Sequence, residues 1–428
     1  MPQSRGHPPN ALAGARRPLL VAGLRVSAAA RVHPEPVHRF APGTGSGVPA
    51  ALRPEVERVL SWAGGDLIAL VLAGSHASGE AVWAEISGCR GSLSDLDLYA
   101  VLRDDDACAR ARARALAGRA GAVPGSALIG PLEVAWLTPA GLARMPARPG
   151  TLELARTARV LAGDPEVLAR LPRWDASSVS AEERLLLLEN RAFELLWAWL
   201  APLEPWSALR ARHAVLKTAL EVAGARLLAS GQWPAGAVAR VEAARALAAP
   251  SGLPNWLEGG WEELGPVWDE ALAWRAADAR VQATGSLADA WHAAVRGWAA
   301  VWWAEAAVGR EPNAAFDRAA HAARRGSFAR RVRRSLAFRA NAGSMPGVAE
   351  RLRLAPRGTP ALRIHGSAVT LLLAAASAPS APRLSGEALH ALAALGVTRA
   401  KTFADAALDL VEAWDRALHE GLRTGSAR

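Results

Sequence analysis

The run DLDLYAVL, Asp95 to Leu102, constrains this chain most, because it sets two carboxylates on a segment that otherwise reads as a buried strand. Side chains alternate along an extended strand, so Asp95 and Asp97 project together while Leu96 and Leu98 turn to the opposite face. Two like charges so placed repel and raise each other's pKa unless a cation lies between them. The stability of an apolar strand gives no reason for such a pair. A divalent cation does, and hard oxygen donors with phosphate nearby point to Mg2+.

A place for the phosphate lies upstream. The apolar strand LIALVLAG, Leu67 to Gly74, ends in Gly74-Ser75, where a short helix begins. A helix start offers unpaired backbone N–H groups to an anion, and Gly74 lets the backbone come close. A third carboxylate would complete a two-metal site. Glu133, the isolated charge in the strand LEVAWLT, is best placed for it. An exposed acid on an edge strand explains Glu133 as simply.

Between residues 51 and 170 helix and strand signals interleave, which predicts an α/β layer: a helix near Pro54 to Trp62, the strand at Leu67, the acid-bearing strand, a charged helix from Asp104, and LEVAWLT. From Ser180 the pattern turns helical. SAEERLLLLENRAFELLWAWL opens with a capping box, Ser180 followed by Glu183. Further helices are predicted over Pro205–Ser230, Ala235–Ala249, Trp261–Ala277 and Leu287–Ala307. The fold class is therefore α+β, a sheet with flanking helices followed by a mostly α-helical C-terminal region. Four regions result: a disordered or linker tail over 1–50, an α/β domain over 51–170, a helical domain over 171–310, and an Arg-rich helical region over 311–428.

The net charge of +10 would ordinarily raise nucleic acid as a partner. It is discounted here, because Lys217 and Lys401 are the only lysines and Arg abundance follows the chain's general Ala, Gly and Arg bias. Two cysteines, Cys89 and Cys108, exclude a disulfide framework and fit a reducing cytoplasm. The longest apolar run, Gly366 to Ala378, falls short of the ~20 residues of a membrane span and reads as a buried helix. Arg16-Arg17 before PLLVAGL lacks the uninterrupted apolar run and cleavage site of an export signal.

The order of apolar strand, Gly-Ser, short helix, Asp-Leu-Asp strand and a later strand bearing one acid resembles the nucleotidyltransferase superfamily related to DNA polymerase beta, over roughly residues 55 to 165. The resemblance implies a mixed sheet of that type and a Mg2+-dependent enzyme. Such an enzyme moves a nucleoside monophosphate from ATP or another nucleoside triphosphate to a hydroxyl, with release of pyrophosphate. It implies that Gly74 and Ser75 hold the phosphates, that Asp95 and Asp97 bind two Mg2+ ions, and that Glu133 shares a metal and activates the acceptor. The helices after about 180 resemble the substrate-side domain that such proteins append. The acceptor stays open between a small molecule, a protein side chain and an RNA end. Two departures stand out: AEISGCRGSL, Ala84 to Leu93, looks inserted relative to small bacterial members and is expected to lengthen a loop at the rim, and Ser78 stands where those members often have Arg.

The nucleotide-binding set is read as Gly74, Ser75, Ser94 and Lys217. Lys217, a lysine in the middle of a helix in an Arg-biased chain, is expected to meet the triphosphate; a snorkelling surface lysine is the alternative. Arg191 contacts phosphate or pairs with Glu194. Trp291, Trp298 and Trp302 at helical spacing read as core rather than as a ring-stacking pocket. His76 lies beside the turn, without metal-ligand spacing around it. A catalytically inactive nucleotide- or RNA-binding protein on the same fold, working through the Arg cluster at Arg324–Arg339, is the competing reading.

Overall fold

The structure, a computed structural model, describes residues 48–118, 123, 125–201, 205–276, 286–306, 360–378, 384, 386, 389, 392 and 402–424. The Arg cluster at Arg324–Arg339 and most of the expected tail lie outside them. Val48 is buried against the first domain, so residues 48–50 belong to the folded part and not to a tail.

The first domain follows the interleaved pattern. Helix α1 (Arg53–Ala63), with Pro54 in its first turn, leads to β1 (Leu67–Leu72), α2 (Gly74–Ser78), the hairpin β2 (Trp83–Ile86) and β3 (Cys89–Ser92), and β4 (Leu96–Leu102). Helix α3 (Asp105–Gly118) follows, its start capped by Asp104 Oδ1 accepting from Ala107 N at 2.7 Å. Then come β5 (Leu132–Leu137), α4 (Pro139–Ala143), α5 (Pro149–Thr157) and β6 (Arg159–Gly163). The main sheet is mixed, in the order β5-β4-β1-β6: β4 and β5 run parallel, and β1 pairs antiparallel with β4 and β6.

Alternation along β4 builds two cores. Leu96, Leu98, Ala100 and Leu102 pack with Val56 and Val59 of α1 and Ala107 and Ala111 of α3. Val101 and Tyr99 face the other way, onto Ala69, Val71, Leu154 and Val167. Asp97 has the parity of Tyr99 and Val101, so it heads the second face rather than interrupting the first.

The AEISGCRGSL segment does not merely lengthen a loop. It forms the β2–β3 hairpin, turned by Ser87 and Gly88 with φ of 52° and 78°, the paired positive φ of a two-residue turn that matches strand twist. Val82, Ala84 and Leu93 at its base join the helical core, so the segment ties the two halves of the molecule together.

The second half is helical: α6 (Ala181–Leu200), α7 (Pro205–Ala229), α8 (Ala237–Arg245), α9 (Leu264–Ala276), α10 (Leu287–Ala306), α11 (Pro360–Ser377) and α12 (Phe403–Thr424). Ser180 Oγ accepts from Glu183 N at 3.3 Å, the N-terminal half of the expected box. Helix α7 sits centrally, packed on α6, α8, α9 and α10. Trp291, Trp298 and Trp302 are fully buried, and the indoles of Trp291 and Trp298 donate to the Leu195 and Leu188 carbonyls at 2.7 Å each. They form core, as their spacing predicts. Residues 368–376 of α11 are buried too, and among the described residues no helix is long and apolar enough to cross a membrane.

Candidate active site

The acids gather where β4 begins. In the parallel pairing Asp97 stands opposite Glu133 of the edge strand β5, which puts both carboxylates on one face of the sheet. Asp95 lies two residues earlier on the same chain. The turn after β1 closes against them: Ala73 N donates to Asp97 O at 2.9 Å, and Gly74, at φ +63°, brings its backbone so near that an added Cβ would fall 2.1 Å from Asp97 Oδ2. Burial, with the charges of Asp95 and Glu133, pushes the Asp97 carboxyl up to about 7.

Asp95 has the opposite fate. Burial works to raise its pKa, but the ammonium of Lys217 on α7, 2.5 Å from Oδ2, holds it below the ordinary value. The same ammonium lies 3.8 Å from Glu194 on α6. Arg191 pairs with Glu194 and donates from Nε to Glu221 at 2.5 Å. Lys217, expected to meet a triphosphate, has the Asp95 carboxylate as its contact. Arg191 takes its ion-pair role.

Gly74 and Ser75 open α2, a helix of only five residues, so any hold on an anion rests on individual backbone N–H groups rather than on a long dipole. Ser94 is turned away. It is 4% exposed, and its hydroxyl accepts from Val82 N at 2.9 Å, fixing the base of the hairpin. His76 is also buried, its Nε2 3.0 Å from Ser92 Oγ and its ring edge-on to Trp83; burial holds its pKa below the usual value. Its position latches α2 to the hairpin.

Beside Asp95 a cavity of about 230 Å³ opens between β4, α6, α7 and α12. Asp95 and Lys217 form one wall, and Trp197, Arg210, His213 and Trp414 complete it. Sequence reading missed these last four. For two of them the signal was present on α7, where Arg210, His213 and Lys217 recur at helical spacing and so share one face of the helix. His213 is driven down to about 3 by burial and by the charge of Lys217, so its imidazole is neutral.

Asp95, Asp97 and Glu133 are hard oxygen donors of the kind Mg2+ takes, although among the described residues no group of three His, Cys, Asp or Glu side chains is arranged to hold a metal ion. Asp97 decides the fit: among the described residues no hydrogen bond or ion pair joins its carboxylate, and a cation would relieve the charge that raises its pKa. No family model, curated protein or solved structure matches this chain.

Proposed function

We propose that the chain is a nucleotidyltransferase of the DNA polymerase beta type, moving a nucleoside monophosphate from a nucleoside triphosphate to a hydroxyl acceptor with release of pyrophosphate. The observation that supports it most is the state of Asp97: a buried carboxylate, raised to about 7, in register with Glu133 and pressed against the Gly74 turn. Asp95, Asp97 and Glu133 would hold Mg2+. When bound, the metal supplies positive charge to the attacking and leaving oxygens of an in-line displacement. Glu133, exposed at the sheet edge, would take the proton of the acceptor hydroxyl. The N–H groups at Gly74 and Ser75 meet phosphate oxygens. Lys217 neutralises Asp95 in the free protein, and its ammonium would be released toward the triphosphate if that carboxylate held a metal.

Incubation of the full chain with each labelled nucleoside triphosphate, Mg2+ and a panel of hydroxyl acceptors tests this reading. Transfer of label, lost in Asp97→Ala, is the expected result. RNA binding with steep salt dependence and no transfer under any condition would instead identify a binding protein on the same fold.

A further inference from the structure

We infer that the cavity beside Asp95 binds a small organic anion, a compact apolar body carrying one phosphate or carboxylate group, and that Arg210 recognises the anionic group. The charges lining the cavity leave one cation over. Lys217 is bonded to Asp95, and Glu194 is taken by Arg191. Among the described residues Arg210 makes no ion pair and no hydrogen bond; its guanidinium lies over the Trp197 ring, 5.1 Å from the centroid. Burial lowers its pKa, yet an arginine stays charged at any ordinary pH. A partly buried guanidinium without acceptors is costly, and contact with an indole face satisfies none of its N–H donors, which are the groups that take carboxylate or phosphate.

The rest of the wall says what carries the anion. Phe193 and Trp414 stack on one another, centroids 4.4 Å apart and 12° from parallel, and both line the cavity. With Leu93, Pro131 and Val411 they make a surface for a compact apolar group. His213, one helical turn from Arg210 and from Lys217, adds a neutral imidazole without a hydrogen-bond partner among the described residues. With Asp95 and Glu194 both paired, Arg210 is the one cation the wall has to spare among the described residues, which suits a single anionic group rather than a polyphosphate. On the transfer reading the ligand is the acceptor; the cavity's own chemistry does not depend on that reading.

Calorimetric titration of the full chain with 4-hydroxybenzoate and phenyl phosphate, and with neutral 4-hydroxybenzamide and inorganic tripolyphosphate as controls, tests the inference. At least one of the two single anions binds, at least about tenfold more tightly than the amide, and Arg210→Gln weakens it about tenfold or more, the worth of one charge-assisted hydrogen bond. Binding of the carboxylate alone or of the phosphate alone names the anion. Unchanged affinity in Arg210→Gln, equal binding of the amide, binding of tripolyphosphate alone, or no binding of either single anion overturns it. Should Arg210→Gln fail to fold, Arg210→Lys keeps the charge and loses the fork, and a weakened anion affinity is then expected of it. Asp97→Asn separates the two readings: it abolishes label transfer and leaves the titrations unchanged, so anion binding without transfer in the wild type defeats only the reaction.

Discussion

A β-carbon on Gly74 would stand 2.1 Å from Oδ2 of Asp97, inside any permitted contact. The turn that ends β1 and the acid that heads β4 are therefore fitted to each other. Gly74→Ala forces the carboxylate to rotate and adds the strain of a side chain at φ +63°. A loss of about 1–3 kcal/mol is expected in thermal or urea unfolding, with loss of any Mg2+-induced stabilisation. A variant that melts with the wild type and keeps the same response to Mg2+ shows that the fit is not tight.

The raised pKa of Asp97 has a sign that unfolding can read. Between the ordinary carboxylate range and about 7 the folded chain holds a proton that the unfolded chain has lost, so this group's contribution makes stability fall as pH rises through that window. Asp97→Asn removes the cost. The variant is expected to match the wild type below the ordinary carboxylate range, where folded and unfolded wild type both hold the proton, and to exceed it by about 2–4 kcal/mol at pH 8 without divalent cations. Mg2+ at a hundredfold excess over its Kd then stabilises the wild type by about 2.7 kcal/mol and the variant by much less. Parallel pH profiles for the two proteins contradict the assignment.

Lys217→Ala acts in the other direction. Asp95 has a lowered folded pKa, so its pairing stabilises above the unfolded carboxylate pKa and is lost as pH falls through the folded one. Removing the ammonium leaves a shielded carboxylate with its partner gone, and about 1–3 kcal/mol of stability is expected to disappear at pH 7. Urea midpoints of wild type and variant converge once the pH is low enough to protonate Asp95. If the gap persists there, the lysine stabilises through packing and not through its charge. Nucleoside triphosphate affinity, measured on the same variant, falls if Lys217 also meets the phosphates.

The sheet was legible because its signals are local. Leu67–Leu72 and Leu96–Leu102 are apolar runs bounded by turn residues, and the parity of Asp95 and Asp97 follows from strand geometry alone. The Ser180 cap and the tryptophan stripe of α10 were equally local. Strand β6 was missed, since RVLAG is short and gains its identity only by pairing with β1. The hairpin was read as loop because its apolar residues, Val82, Ala84 and Leu93, face a core made by helices a hundred residues away. Arg210, His213 and Trp414 share that cause: a cavity assembled by packing α6, α7 and α12 on the end of β4 has no contiguous signature.

Leu93 tests whether the hairpin is a tie or an ornament. It is 2% exposed and packs in the helical core while its chain neighbours Ser92 and Ser94 hold His76 and the Val82 amide. Leu93→Ala opens a void between the two halves, with an expected cost of about 2–5 kcal/mol. Because the residue belongs to both, urea unfolding followed by tryptophan fluorescence, which is weighted to the helical half where most of the tryptophans lie, and by far-ultraviolet dichroism, which reports on the whole, should shift together. Helical tryptophans that keep their wild-type midpoint while the dichroism transition moves would show that the hairpin belongs to the sheet domain alone.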